Sequence, residues 1–219
     1  MEKQKLDKKR FILSFIPTSI FVGLLWLIHV TSVVLDLDLT FLGLHPLKAE
    51  GLIGILTAPL IHGDFSHLAA NSVPLILLGG LLFYFYRDIA WKVFLLSYFL
   101  SNFWIWFGAR QAWHIGASGL VYAFAAFLFV SGIVRRDVRL SAISLLVSFL
   151  YGSMVWGIFP LVPRVSWESH LMGAIAGVIL ALYYKGEGPQ RKKYSWEYEE
   201  DIDDEGFPYW EIYDDDEFN

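Results

Sequence analysis

HIGASGLVYA, residues 114–123, sets Ser118 between Gly116 and Gly119, then leads into sixteen residues, 119–134, that carry no charge. A Gly-x-Ser-Gly run of this kind often marks the nucleophile of a soluble hydrolase, where it sits on a turn between a strand and a helix. Here the preceding residues, NFWIWFGARQAWH, end one apolar segment and pass through a short polar loop, so no strand is expected. The residues that follow suit a bilayer. The stretch reads as the start of a membrane helix, and the fold class turns on that reading.

The remainder of the chain agrees. Of its 219 residues 56% are hydrophobic and 17% aromatic, against about 45–50% apolar, glycine included, in soluble domains. A helix crossing the hydrocarbon core needs roughly 20 mostly apolar residues. Six segments meet this, at about 11–35, 66–86, 91–108, 117–134, 140–161 and 168–184. The first follows the basic run KQKLDKKR but is too long for a signal-peptide core and lacks a small-residue cleavage site, so it is read as an uncleaved span. With the N-terminus inside, inner segments hold fourteen Lys/Arg and outer loops only Lys48, Arg110 and Arg164. The positive-inside rule then places both termini in the cytoplasm.

Three segments follow: a basic cytoplasmic N-terminus at 1–10, a six-helix membrane domain at 11–184, and an acidic, aromatic cytoplasmic tail at 185–219. Residues 195–219 carry twelve Asp/Glu and no Lys/Arg. The tail is expected to be solvated and disordered; folding back onto Arg135, Arg136 and Arg139 is the rival expectation. A long outside loop, 36–65, stays largely apolar and reads as functional or interfacial. The absence of cysteine excludes disulfides, thiolate chemistry and Cys-ligated metal.

Polar side chains within spans are costly and mark candidate sites. In HGDFSHLAAN, 62–71, Asp64 or Ser66 can cap the second span, and His67 and Asn71 share a face four residues apart. Zinc binding by His62 and His67 is unsuited: the i, i+5 spacing sets them about 140° apart around a helix, with no Glu as in H-E-x-x-H. In SWESHLMGAIAG, 166–177, His170 lies one or two turns into the sixth span, and Gly173 and Gly177 form a G-x-x-x-G seam that admits a neighbouring helix. Ser118 lies seventeen residues from Arg135, roughly 26 Å along a helix and so just beneath one edge of a core about 30 Å thick. Tyr122 is one turn below it on the same face. Each feature alone also reads as ordinary helix packing.

Taken together, the clusters resemble the rhomboid family of intramembrane serine proteases, bacterial type. The resemblance covers about residues 11–184. It rests on six spans, inside termini, the long first loop, and three motifs in order: His62, His67 and Asn71; Gly116, Ser118, Gly119 and Tyr122; and His170, Gly173 and Gly177. It implies an all-α, six-transmembrane-helix rhomboid-like bundle in the bacterial inner membrane. Ser118 would be nucleophile and His170 general base. The Ser118 amide, His67 and Asn71 would bind the oxyanion; Tyr122 would support His170, with His62 beside the oxyanion group. The reaction implied is hydrolysis of a peptide bond in or near a transmembrane segment. Partners would be transmembrane protein substrates and the lipid bilayer, with no nucleic acid, cofactor or metal. The alternative is a catalytically inactive rhomboid-like binder of transmembrane clients. Two departures stand out: GLIGILT, 51–57, lacks the Trp-Arg pair common in the family's first loop, which puts the loop's anchoring in doubt, and the acidic tail has no counterpart.

Overall fold

The computed structural model describes residues 2–161 and 165–191. Arg164, Lys192, Lys193 and the acidic stretch 195–219 therefore lie outside the described residues. Helix α1 (Glu2–Ser14) and α2 (Ile16–Val34) are nearly continuous. The break falls at Phe15 because Pro17 has no N–H and its ring crowds the carbonyl four residues back. The helix thus reaches back through the basic residues expected to precede the first span.

The loop 36–64 folds into three short 3₁₀ turns and one helical turn, α3 (Gly54–Thr57). Then come α4 (Phe65–Phe85), α5 (Ala90–Gly108), α6 (Ser118–Arg135), α7 (Val138–Tyr151) and α8 (Trp167–Tyr183). Asp64, Asp137 and Ser166 cap α4, α7 and α8, each accepting from an amide that has no partner inside the helix. A 3₁₀ stretch, Gly152–Ile158, extends α7.

The fold is an all-α membrane bundle. Residues 4–34, 65–85, 118–135 and 138–158 are long and apolar enough to cross a membrane, and α5 and α8 complete six principal helices. Apolar side chains face outward throughout: Ile20 is 68% and Phe149 87% exposed. Such a surface suits lipid, not water. The centre is α6, whose Ala123, Phe124, Phe127 and Leu128 are fully enclosed.

Close contact between α6 and α8 depends on missing side chains. A Cβ on Gly173 would overlap the Gly119 carbonyl, and one on Gly177 the Ala123 carbonyl. Gly173→Val is therefore expected to push α8 off α6 at a cost of about 1–3 kcal/mol or more. A lowered melting midpoint of the purified variant checks this.

The long loop is anchored without a Trp-Arg pair. Leu44 and His114 exchange backbone hydrogen bonds of 2.9 and 2.8 Å. Trp106 Nε1 donates to the Lys48 carbonyl at 3.2 Å, and the Leu47 amide to Trp106 O at 3.0 Å. The loop is thereby tied to α5 and to the turn that precedes Ser118.

Candidate active site

Ser118 is the first residue of α6 and is nearly buried. A helix N-terminus offers amides without intrahelical partners and the positive end of the dipole, a setting for negative charge. The turn leading to it passes through Gly116 at φ +105°, a conformation that L side chains rarely adopt. A Cβ there would also lie 2.6 Å from His67 Cε1 and 3.7 Å from Asn71 Nδ2. Gly116 thus lets two polar side chains of α4 lie over the turn. Its own amide donates to the Ala58 carbonyl at 2.9 Å, fixing the turn against the long loop.

His170, on the first turn of α8, places Nε2 2.9 Å from Ser118 Oγ. Its Nδ1 is 2.8 Å from the Gly157 carbonyl oxygen. A carbonyl only accepts, so Nδ1 carries the proton and donates to it. Nε2 then holds the lone pair, and the Ser118 hydroxyl donates to Nε2. The tautomer needed for proton abstraction is thus set by a main-chain carbonyl. Tyr122 stacks on the imidazole with centroids 4.2 Å apart and planes 7° from parallel. The Tyr122 hydroxyl donates to Met154 O at 2.8 Å. One 3₁₀ stretch therefore supplies both carbonyls. A Cβ on Gly157 would overlap the Tyr122 hydroxyl and sit 3.1 Å from His170 Nδ1.

His62 and Asn71 form a second buried pair. Asn71 Nδ2 lies 3.1 Å from His62 Nε2, and the Ala117 amide donates to the same nitrogen at 3.4 Å. Two donors converging on Nε2 mark it as the acceptor, so His62 is neutral. Burial, aided by neighbouring His67 and His29, pushes its pKa from 6.5 down to about 4. The unfolded chain then takes up a proton that the folded chain refuses. Stability present above pH 6.5 is lost as pH falls towards 4, by up to about 3 kcal/mol for a shift of this size. Melting curves of wild type and His62→Asn across that window should converge as pH falls.

His114, at the head of the same turn, is 3% exposed. Its Nε2 donates to Arg110 O at 3.0 Å, so Nδ1 accepts from the Ser166 hydroxyl at 2.6 Å. Ser166 in turn lies 2.6 Å from Ser169 Oγ. Arg110 donates to Val165 O at 2.7 Å and pairs with the buried Glu168 carboxylate at 3.4 Å. These contacts fix the start of α8, which carries His170. Burial holds the His114 pKa below its ordinary value.

Ser118, His170, Tyr122, His67, Asn71, His62 and Gly116 thus gather at one end of the bundle. Gly119 and Gly173 meet beside them, and Gly177 lies one turn deeper against Ala123. Gly157 and Met154 had no side-chain signal in the sequence, because they contribute only carbonyl oxygens. Among the described residues no group of three or more His, Cys, Asp or Glu could hold a metal ion. A hydroxyl donating to a neutral, oriented imidazole is the chemistry of an activated nucleophile.

Comparison with known proteins gives a consistent picture. The Rhomboid domain family model matches residues 49–187. Uncharacterized proteins of Mycobacterium bovis and Mycobacterium tuberculosis are 35% identical over 200 residues, covering 86% of this chain and 82% of theirs. An uncharacterized protein of Mycobacterium leprae is 34% identical over 204 residues, covering 87% of this chain and 78% of its own.

Proposed function

The chain belongs to the rhomboid family, and from that premise we propose that it is an intramembrane serine endopeptidase acting on transmembrane protein substrates. The observation that carries this reading is the 2.9 Å contact between Ser118 Oγ and His170 Nε2, with Nδ1 held on Gly157 O. Ser118 Oγ attacks the substrate carbonyl carbon as its proton passes to His170 Nε2. The resulting oxyanion is met by the Ser118 amide with the His67 and Asn71 side chains. Collapse breaks the C–N bond, and the imidazolium gives its proton to the departing amine. Water, deprotonated by the same imidazole, then hydrolyses the acyl-enzyme. Tyr122 holds the ring plane, and His62 orients Asn71.

The bond cut lies in or near a transmembrane segment, at a locally unwound stretch. An intact helix keeps its amides bonded and its carbonyls shielded, so helix-weakening residues mark the substrate. Fourteen inner against three outer basic residues support a reading with both termini in the cytoplasm and Ser118 towards the outer face of the plasma membrane.

The second reading, an inactive binder of transmembrane clients, requires a serine that does not react. Labelling the purified protein with a fluorophosphonate serine-hydrolase probe separates the two. Labelling of wild type and not of Ser118→Ala is expected. An unlabelled wild type supports the binder.

A further inference from the structure

At the end of the bundle opposite Ser118, α1, the start of α2, the end of α4, the start of α5, the turn after α6, α7 and the segment after α8 line a cleft of about 1150 Å³. Five arginines line it: Arg10, Arg87, Arg136, Arg139 and Arg191. The floor is aromatic and aliphatic, with Phe83, Tyr84, Trp91 and Ile143. Two acids also face it, and both are engaged. Asp7 lies 3.9 Å from Arg10, and Asp137 caps α7 by accepting from the Arg139 and Leu140 amides. Arg87, Arg136 and Arg139 are exposed and ion-pair with no described residue. Arg135, by contrast, is turned inward, stacked over Tyr86 and donating to Tyr184 O and Glu187 O, so it is not part of the rim.

We propose that this cleft is the docking site of the chain's own acidic segment, residues 195–219. Three observations support this occupant over others. The segment's charge is opposite and one-sided, twelve Asp/Glu with no Lys/Arg. Aromatics are interspersed among its acids, Trp196, Tyr198, Phe207, Tyr209, Trp210, Tyr213 and Phe218, which matches an arginine rim around an apolar floor. The chain also leaves the described structure from the cleft itself, because Arg191 is both a lining residue and the last one described. A random coil of ten residues spans about 17 Å, so attachment keeps the segment at high effective concentration over the rim.

The absence of native cysteine makes the test direct. Spin labels on Ala142→Cys, which lines the cleft, and Gly206→Cys, in the segment, report their separation by pulsed EPR in the full-length protein. A short, narrow distance population is expected in nanodiscs of phosphatidylcholine and in nanodiscs that also contain phosphatidylglycerol. It should be lost in Arg87→Gln/Arg136→Gln/Arg139→Gln. It should equally be lost when Asp214, Asp215, Asp216 and Glu217 are made Asn or Gln, a change that leaves the bundle untouched. Salt should weaken it as the screening length drops from about 8 Å at physiological strength to about 3 Å at 1 M. No short population in wild type, or one that survives both sets of neutralisations, overturns the proposal. A short population in phosphatidylcholine that disappears with phosphatidylglycerol overturns it too, and assigns the cleft to anionic headgroups.

Discussion

Ser118→Ala and His170→Ala are each expected to lower the rate of transmembrane-substrate cleavage by at least about 10⁴-fold while leaving the fold intact. In Ser–His catalysis either partner is useless alone, so their losses do not add. The double variant should be no slower than either single one. The Ser118 hydroxyl bonds only His170 among the described side chains, so its removal strands no other buried group. Cleavage of a reconstituted substrate, alongside circular dichroism of each variant, checks both halves of this expectation. Cleavage surviving in either single variant removes the assignment of nucleophile and base.

The second large effect is expected at a residue with no side chain. Gly157→Ala places a methyl group where the Tyr122 hydroxyl lies and 3.1 Å from His170 Nδ1. Either Tyr122 must leave its stack or the 3₁₀ stretch must withdraw, taking the Gly157 carbonyl with it. Both responses release the proton on Nδ1 from its acceptor and let the imidazole exchange tautomers. Loss of tautomer control in this chemistry costs up to about 10⁴ in rate; here about 10²–10³ in kcat is expected, with KM little changed. Tyr122→Phe removes the overlapping oxygen, so Gly157→Ala/Tyr122→Phe should recover part of the loss. A mere packing defect would instead worsen with the second substitution. Steady-state kinetics of the three variants decides between them.

Much of the fold was legible because lipid demands long apolar runs, and the six principal helices fall on the six expected segments. Side chains that gather at the site were legible for a related reason: His67, Asn71, Ser118 and His170 are expensive where they lie. What the residues could not announce is anything done by the backbone. The fifth segment reads as apolar from 140 to 161, yet its α-helix stops at Tyr151 and tightens into a 3₁₀ stretch. That change of winding turns the carbonyls of Met154 and Gly157 into the site, and a carbonyl has no letter of its own. The burial of His114 was not legible for a different reason. Its exposure depends on a backbone pairing with Leu44, seventy residues earlier in the chain, which no local pattern encodes.

The stretch at Gly152–Ile158 joins the chemistry to the mechanics of the bilayer. It continues α7, a helix that presents Leu145 and Phe149 to the surroundings at 72% and 87% exposure and buries only Leu140, Ser144 and Val147. Whatever leans on that helix, a neighbouring lipid or an arriving polypeptide, pushes on the same lever that holds the imidazole and its stacking partner in register. In the proposed mechanism, pressure on α7 would therefore bear on the alignment of the proton acceptor, about two turns from where the force is applied.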